Sequence, residues 1–348
     1  MNDRFLRACR REPVDATPVW FMRQAGRSFA AYRRLRERHG ILELAKDPAL
    51  CAEVTLMPVR ELGVDAAVIF ADIMLPLEPM GVSLRIEPEI GPIIDAPIRS
   101  AADVRALRPF EATGVSFTLE AIRLISRELG GRAGVIGFSG APFTLACYLI
   151  EGRPSRDYAT AKAFMFREPE AWNDLMDRLA TMVIGYLRAQ VAAGADVVQL
   201  FDSWVGGLAP ADYRAYVQPH VSRIFAALSD VPTIHFGTGT AGLLEDLVDA
   251  GGDVIGLDHR VPLASAWSRI GFNRGVQGNL DAARLLAGWD ATREGARAVL
   301  DAASGRPGHV FNLGHGVLPQ TDTDLLRRLV DYVHAETAVP ASEAQVPA

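Results

Sequence analysis

The sequence predicts an α/β fold, a single (β/α)8 TIM barrel with a β-hairpin insertion after strand 2. Three observations carry this. Eight short apolar runs alternate with longer amphipathic stretches, and a continuous apolar run is what a parallel strand buried on both faces requires. Several amphipathic stretches stop at glycine just before the next run, as in LGVD at 62–65, AGAD at 193–196 and AGGD at 250–253. Glycine there ends a helix at positive φ and turns the chain into the sheet. No phosphate-binding glycine fingerprint follows the first run, which tells against the doubly wound sheet that shares this alternation.

The eight expected strands are 18–22 (PVWFM), 66–70 (AAVIF), 134–138 (GVIGF), 196–201 (DVVQLF), 232–236 (PTIHF), 253–257 (DVIGL), 275–278 (GVQG) and 309–313 (HVFNL). Helix-like stretches between them cover 30–39, 48–62, 117–129, 169–193, 210–228, 241–250 and 282–303. Residues 81–98 interrupt the pattern and read as the hairpin. One domain is expected over 1–336, followed by a flexible tail at 337–348 (TAVPASEAQVPA), small and rich in Pro and Ala.

Composition bounds the function. The 348 residues are 49% hydrophobic and 22% charged, ordinary for a globular enzyme and wrong for a disordered chain. Three cysteines cannot staple so long a chain. The absence of a long apolar run predicts no membrane span, and the start lacks the apolar core of a secretory signal. A cytoplasmic location is the expectation. A net charge of −6 argues against a nucleic-acid partner. Against that acidic background, residues 1–40 hold ten arginines and four acids, a local positive field suited to an anionic ligand.

In a barrel the chemistry sits where strands end. Arg23, Gln24, Ala25, Gly26 and Arg27 follow the first run, Asp72 the second, and Ser139 to Phe143, leading to Tyr148, the third. Asp202, Ser203 and Trp204 follow the fourth, Gly237 to Thr240 the fifth, Asp258 and His259 the sixth, Asn279 the seventh, and Gly314, His315 and Gly316 the eighth. Two guanidinium groups four residues apart, at Arg23 and Arg27, suit a polyanion because arginine pairs carboxylates through two bonds and stays charged. Arg36, on the following helix, could join them. A carboxylate in the apolar company of Asp72 is costly unless partnered. It caps a helix or faces a cationic ligand. His315 lies between glycines that allow a close backbone approach, and its imidazole could bind a carboxylate or move a proton. CxxC, HExxH, GxSxG and P-loop motifs are absent. Lys162, in a helical stretch, offers no Schiff base.

PVWFMRQAGRS (18–28), FADIMLPLEPMG (70–81), GFSGAPFTLACYLIEG (137–152), LFDSWVGGL (200–208) and FNLGHGVLPQT (311–321) together resemble the uroporphyrinogen decarboxylase family across nearly the whole chain. The resemblance implies a single barrel, a cytoplasmic homodimer and a cofactor-free reaction. That reaction removes four acetate carboxyl groups from uroporphyrinogen III and leaves coproporphyrinogen III. It implies that Arg23, Ala25, Arg27 and Arg36 contact substrate and that Asp72 faces the pyrrole NH groups. Tyr148, Ser203 and His315 would bind or orient carboxylates. The expected site is therefore Arg23, Gln24, Ala25, Gly26, Arg27, Arg36, Asp72, Tyr148, Ser203 and His315, with Asp72, Arg27, Arg23, Tyr148 and His315 serving the chemistry. The rivals are a corrinoid- or thiol-linked methyltransferase on a related barrel, which needs a zinc cysteine where Gly237 stands, and a non-catalytic porphyrinogen carrier.

Overall fold

The computed structural model describes residues 3–87 and 90–339. Nine strands occur among them: β1 (Ala66–Val68), β2 (Leu84–Glu87), β3 (Gly91–Ile94), β4 (Gly134–Gly140), β5 (Val197–Asp202), β6 (Thr233–Gly237), β7 (Val254–Gly256), β8 (Gly275–Gln277) and β9 (His309–Val310). β1 and β4 to β9 form one seven-stranded sheet in chain order, with every neighbour parallel. β2 and β3 pair antiparallel, apart from it. β4 is buried along its whole length, as a strand covered on both faces must be.

Seven of the eight expected runs become strands of this sheet. The run 18–22 does not. It makes one parallel bridge, Val19 to Phe311. Pro18 has no amide proton to give. The amides of Phe21 and Met22 are taken by side-chain oxygens, Gln24 Oε1 at 3.0 Å and Asn312 Oδ1 at 3.2 Å, so little is left for a ladder.

Helices connect successive strands. Pro48–Leu62 starts on Asp47, whose carboxylate accepts the amides of Ala49 and Leu50, both at 2.9 Å. It ends at Gly63, in the left-handed region at φ 72°. Pro169–Ala193 ends the same way at Gly194. The stretches expected as single helices over 210–228 and 282–303 are each broken in two. The break falls at Val217, at φ −129°, between Pro210–Tyr216 and Gln218–Ala227, and Pro219, which has no amide proton to give, sits in the first turn of the second helix. Gly288, at φ 93°, separates Ala283–Leu286 from Trp289–Ala303. The tail expected at 337–348 lies outside the described residues from 340 onward. Thr337 ends the helix Thr323–Thr337 and accepts from Thr17 N at 2.9 Å, and Val339 N donates to Asp15 O at 2.8 Å.

The residue at the foot of three strands repeats one device. Asp196 N donates to Val135 O at 2.9 Å while its carboxylate accepts Val135 N at 2.8 Å. Asp253 does the same to Thr233, at 3.0 and 2.8 Å. Asp65 does it to Val19, at 2.8 and 2.7 Å. Each carboxylate thus pins the preceding chain segment beside its own strand and uses an amide that would otherwise lack a partner.

Candidate active site

The loops beyond the C-terminal ends of the strands enclose a cavity of about 980 Å³. That is at the upper end for a small-molecule site. Its floor is aromatic. Phe138, Phe201 and Phe236, from β4, β5 and β6, meet edge to face with ring centroids 5.4 and 5.9 Å apart. One wall is a second aromatic group. Trp204 lies between Tyr148, at 4.2 Å, and Tyr158, at 4.6 Å. Thr144 orders this wall: its hydroxyl donates to Asp202 Oδ1 at 2.9 Å and accepts Trp204 N at 3.3 Å.

The polar side chains divide by sign. Among the described residues, Asp72 is the one carboxylate in the lining. Its Oδ1 accepts Met74 N at 2.8 Å, which turns the chain into the short 3-10 helix Leu75–Leu77. Burial pushes the Asp72 carboxyl above the usual carboxylate range, and Glu78 adds to this. The Met74 amide and the Arg23 guanidinium pull it back. Four arginines line the same cavity: Arg23, Arg27, Arg156 and Arg260. Among the described residues no hydrogen bond or ion pair engages the guanidinium of Arg23 or Arg27. Arg23 itself sits in the left-handed region at φ 59°, and Tyr158 at φ 52°. Both positions are strained for residues with a Cβ and persist only because the surroundings impose them.

His315 is exposed to this cavity. Burial lowers its pKa, as do Arg23, His259 and Arg260, so the free imidazole is neutral at pH 7. The flanking glycines make room for the protein itself rather than for a ligand. A Cβ on Gly316 would lie 2.5 Å from Arg23 Cδ, and one on Gly314 would lie 2.1 Å from the backbone nitrogen of His259.

Of the residues singled out in the sequence, Arg23, Ala25, Gly26, Arg27, Asp72, Tyr148, Ser203 and His315 line the cavity. Gln24 does not. It is fully buried, with Nε2 donating to Ala66 O at 2.9 Å and Oε1 accepting from Phe21, so it ties its loop to β1. Arg36 also lies outside the lining, with its guanidinium on His39 O. It reaches the site only through its field on Tyr32, a lining residue whose phenol it helps to hold down against burial. Sequence reading missed Tyr32, Thr144, Arg156, Tyr158, Trp204 and Arg260 as lining residues. Trp204 and Arg260 carried a signal, since each sits in a strand-end loop. Arg156 carried none: it arrives with the loop that follows the helix Pro142–Glu151.

The chain matches the family model described as uroporphyrinogen decarboxylase over residues 1–336. It is 55% identical to the uroporphyrinogen decarboxylase of Sorangium cellulosum over 338 residues, covering 96% of this chain and 97% of the relative. It is 55% identical to that of Streptomyces coelicolor over 335 residues, covering 96% and 94%. Among solved structures, a methyltransferase from Methanosarcina mazei superimposes with a TM-score of 0.81 at 19% identity, covering 96% of this chain and 98% of that one. A B12-independent methionine synthase from a Shewanella species gives 0.56 at 12%, covering 86% and 90%. At such identities these two likenesses concern the fold alone. The extent and the identity of the sequence matches place the chain in the uroporphyrinogen decarboxylase family.

Proposed function

We propose that the cavity binds uroporphyrinogen III and that the chain, a carboxy-lyase by its family, converts the four acetate side chains to methyl groups, giving coproporphyrinogen III. The observation that carries this is the opening of Asp72 onto the same cavity as Arg23 and Arg27, whose guanidinium groups no described residue pairs. The substrate is a polyanion around a ring of pyrrole NH donors. Guanidinium forks suit its carboxylates, and one carboxylate among them suits its centre.

Loss of CO2 leaves an electron pair that needs a sink. Protonation of a pyrrole ring carbon gives a cationic, iminium-like ring. The bond to the carboxylate breaks and its electrons neutralise that ring, leaving an exocyclic double bond. A second proton adds to the exocyclic carbon to make the methyl group, and the ring proton leaves. Each turn therefore consumes one proton net and needs no electron sink beyond the substrate. Asp72 accepts from the pyrrole NH groups and stabilises the positive charge as it develops. Tyr148, Ser203 and His315 orient carboxylates together with Ala25 and Gly26, where a methyl group and a bare backbone leave the loop open to the ligand. Arg36, Gln24 and Gly314 support the geometry from outside the lining, and Gly316, a lining residue, leaves room for the Arg23 side chain.

The reading extends to the assembly. We propose that the sheet closes as an eight-stranded barrel in one domain over 1–336, with β2 and β3 as its inserted hairpin. Support comes from Val19, which takes from Asp65 the pair of bonds that Val135 takes from Asp196 and Thr233 from Asp253. It comes also from Trp20, whose indole donates to Gln277 Oε1 at 3.0 Å, Gln277 donating on to Gln199 at 3.2 Å across the interior. A cytoplasmic homodimer completes the proposal. No helix among the described residues is long and apolar enough to cross a membrane, and the cysteines Cys9, Cys51 and Cys147 are free and buried. None of the three lines the cavity, which disfavours a thiolate-metal methyltransferase.

The test is anaerobic incubation with uroporphyrinogen III, then oxidation and chromatography of the porphyrins. Conversion of the eight-carboxyl porphyrin to the four-carboxyl one is expected. Recovery of unchanged substrate would remove the proposal.

A further inference from the structure

The loop after β7 is built around an arginine that the sequence reading passed over. Asp258 is 1% exposed. Its carboxylate accepts the amides of Gly239 and Arg260, the latter at 2.8 Å, and two edge N–H groups of the Arg260 guanidinium, Nη2 at 2.7 Å and Nε at 3.2 Å. The side chain of Arg260 is nevertheless 59% exposed and lines the cavity. An exposed ion pair on a flexible loop contributes little. This one is different, because its acid is buried and its loop is pinned. Asn279 Nδ2 donates to Asp258 O at 2.8 Å and to Val261 O at 2.7 Å. On the other side, Gly314 brings its own backbone against that of His259.

The way the guanidinium is held matters. Asp258 occupies the edge made by Nε and Nη2. The end made by Nη1 and Nη2 is a second fork of the same width. Among the described residues no acceptor bonds Nη1. Arg260 is close enough to His315 to lower its pKa, together with Arg23 and His259. Three cationic or protonatable groups thus gather beside a fork whose orientation is fixed in advance, so little side-chain freedom is lost when a ligand docks.

We propose that Arg260 is a substrate-binding residue which, with His315, forms a carboxylate subsite for one side chain of the tetrapyrrole. This rests on the reading of the cavity as the substrate site. It adds a specificity-determining arginine to that site from a strand-end loop distant in sequence from Arg23 and Arg27.

The experiment compares wild type, Arg260→Gln, Arg260→Lys and Arg27→Ala under anaerobic turnover of uroporphyrinogen III, with all porphyrin intermediates resolved. Loss of a charge-assisted fork predicts a KM roughly 10–100-fold higher in Arg260→Gln, with kcat within about threefold; a fall in melting temperature reports the lost partner of the buried Asp258 and is read separately. Arg260→Lys, which keeps charge and loses the fork, falls between. If the subsite grips an acetate, porphyrins with seven to five carboxyl groups accumulate in the variant. If it grips a propionate, KM rises without that accumulation. An unchanged KM in Arg260→Gln, whether or not its melting temperature falls, would show that the arginine only stitches the loop and would overturn the proposal. Arg27→Ala separates the two readings: a raised KM there with an unchanged KM in Arg260→Gln rejects the subsite alone, whereas no turnover of uroporphyrinogen by wild type rejects the functional reading itself.

Discussion

Thr144 donates its hydroxyl proton to Asp202 over 2.9 Å, and that bond couples a fully buried carboxylate to the helix Pro142–Glu151, which carries Tyr148 one turn further on. Positions four apart share a helix face, so what fixes Thr144 also fixes Tyr148. The same hydroxyl accepts the amide of Trp204, on which Tyr148 packs. One side of the cavity therefore depends on a carboxylate that never reaches it.

Asp202 makes stability depend on pH in a direction opposite to that of a paired surface acid. Burial pushes its carboxyl up to about 7, against the Thr144 hydroxyl and amide, which favour the charged form. Between the ordinary carboxylate pKa near 4 and about 7, the folded protein keeps a proton that the unfolded chain has released. Stability contributed by this group is thus present at low pH and lost as pH rises through that window, by about 4 kcal/mol at most. Asp202→Asn keeps an acceptor for Thr144 and cannot ionise. Relative to wild type it should gain stability between pH 4.5 and 8, measured by urea midpoints. Asp202→Ala, which drops Thr144, should lower kcat/KM by about tenfold. Parallel urea curves for wild type and Asp202→Asn at both pH values would refute the assignment.

The unengaged guanidinium of Arg27 makes a contrasting case. It lines the cavity and no described residue holds it, so its removal costs the fold little. Arg27→Ala should raise KM for uroporphyrinogen by roughly 10–100-fold and shift the melting temperature by no more than about 1–2 °C. A large drop in melting temperature with unchanged KM would make Arg27 a structural residue.

What could be read from the sequence follows from how local each signal is. A strand buried on both faces writes itself as a continuous apolar run, and a helix that must turn into the sheet writes a glycine, so β4 to β9 were all visible. The run 18–22 was also visible, but its fate depends on Gln24 and Asn312 capturing its amides, and Asn312 is nearly three hundred residues away. Asp72 and His315 were legible because they sit at strand ends. Gln24 was misplaced for a simple reason: a motif gives neighbours in sequence, whereas facing is decided by the strand-to-loop turn, which buries Gln24 and exposes Arg23 and Arg27. Arg156 and Tyr158 reach the site from a loop whose path no local pattern specifies.

Asp72 gives the sharpest test of mechanism, because its task requires the charged form and its surroundings oppose it. Burial and Glu78 raise its pKa, while Arg23 and the Met74 amide lower it. If the carboxylate must be ionised to stabilise the pyrrole cation, kcat/KM falls as pH drops through this raised pKa. Glu78 lies outside the cavity lining and pairs with Lys46 at 2.8 Å. Glu78→Gln removes a negative charge and frees that cation, so the acidic limb of the kcat/KM profile should move to lower pH. Arg23→Ala removes a positive charge, so the limb should move to higher pH, beyond the loss of binding that is common to all pH values. Asp72→Asn should fold normally and lose on the order of 10²–10³ in kcat, the usual loss of one preorganised electrostatic group, and its acidic limb should disappear. Near-normal turnover by Asp72→Asn, or limbs that stay fixed in both charge variants, would take Asp72 out of the chemistry.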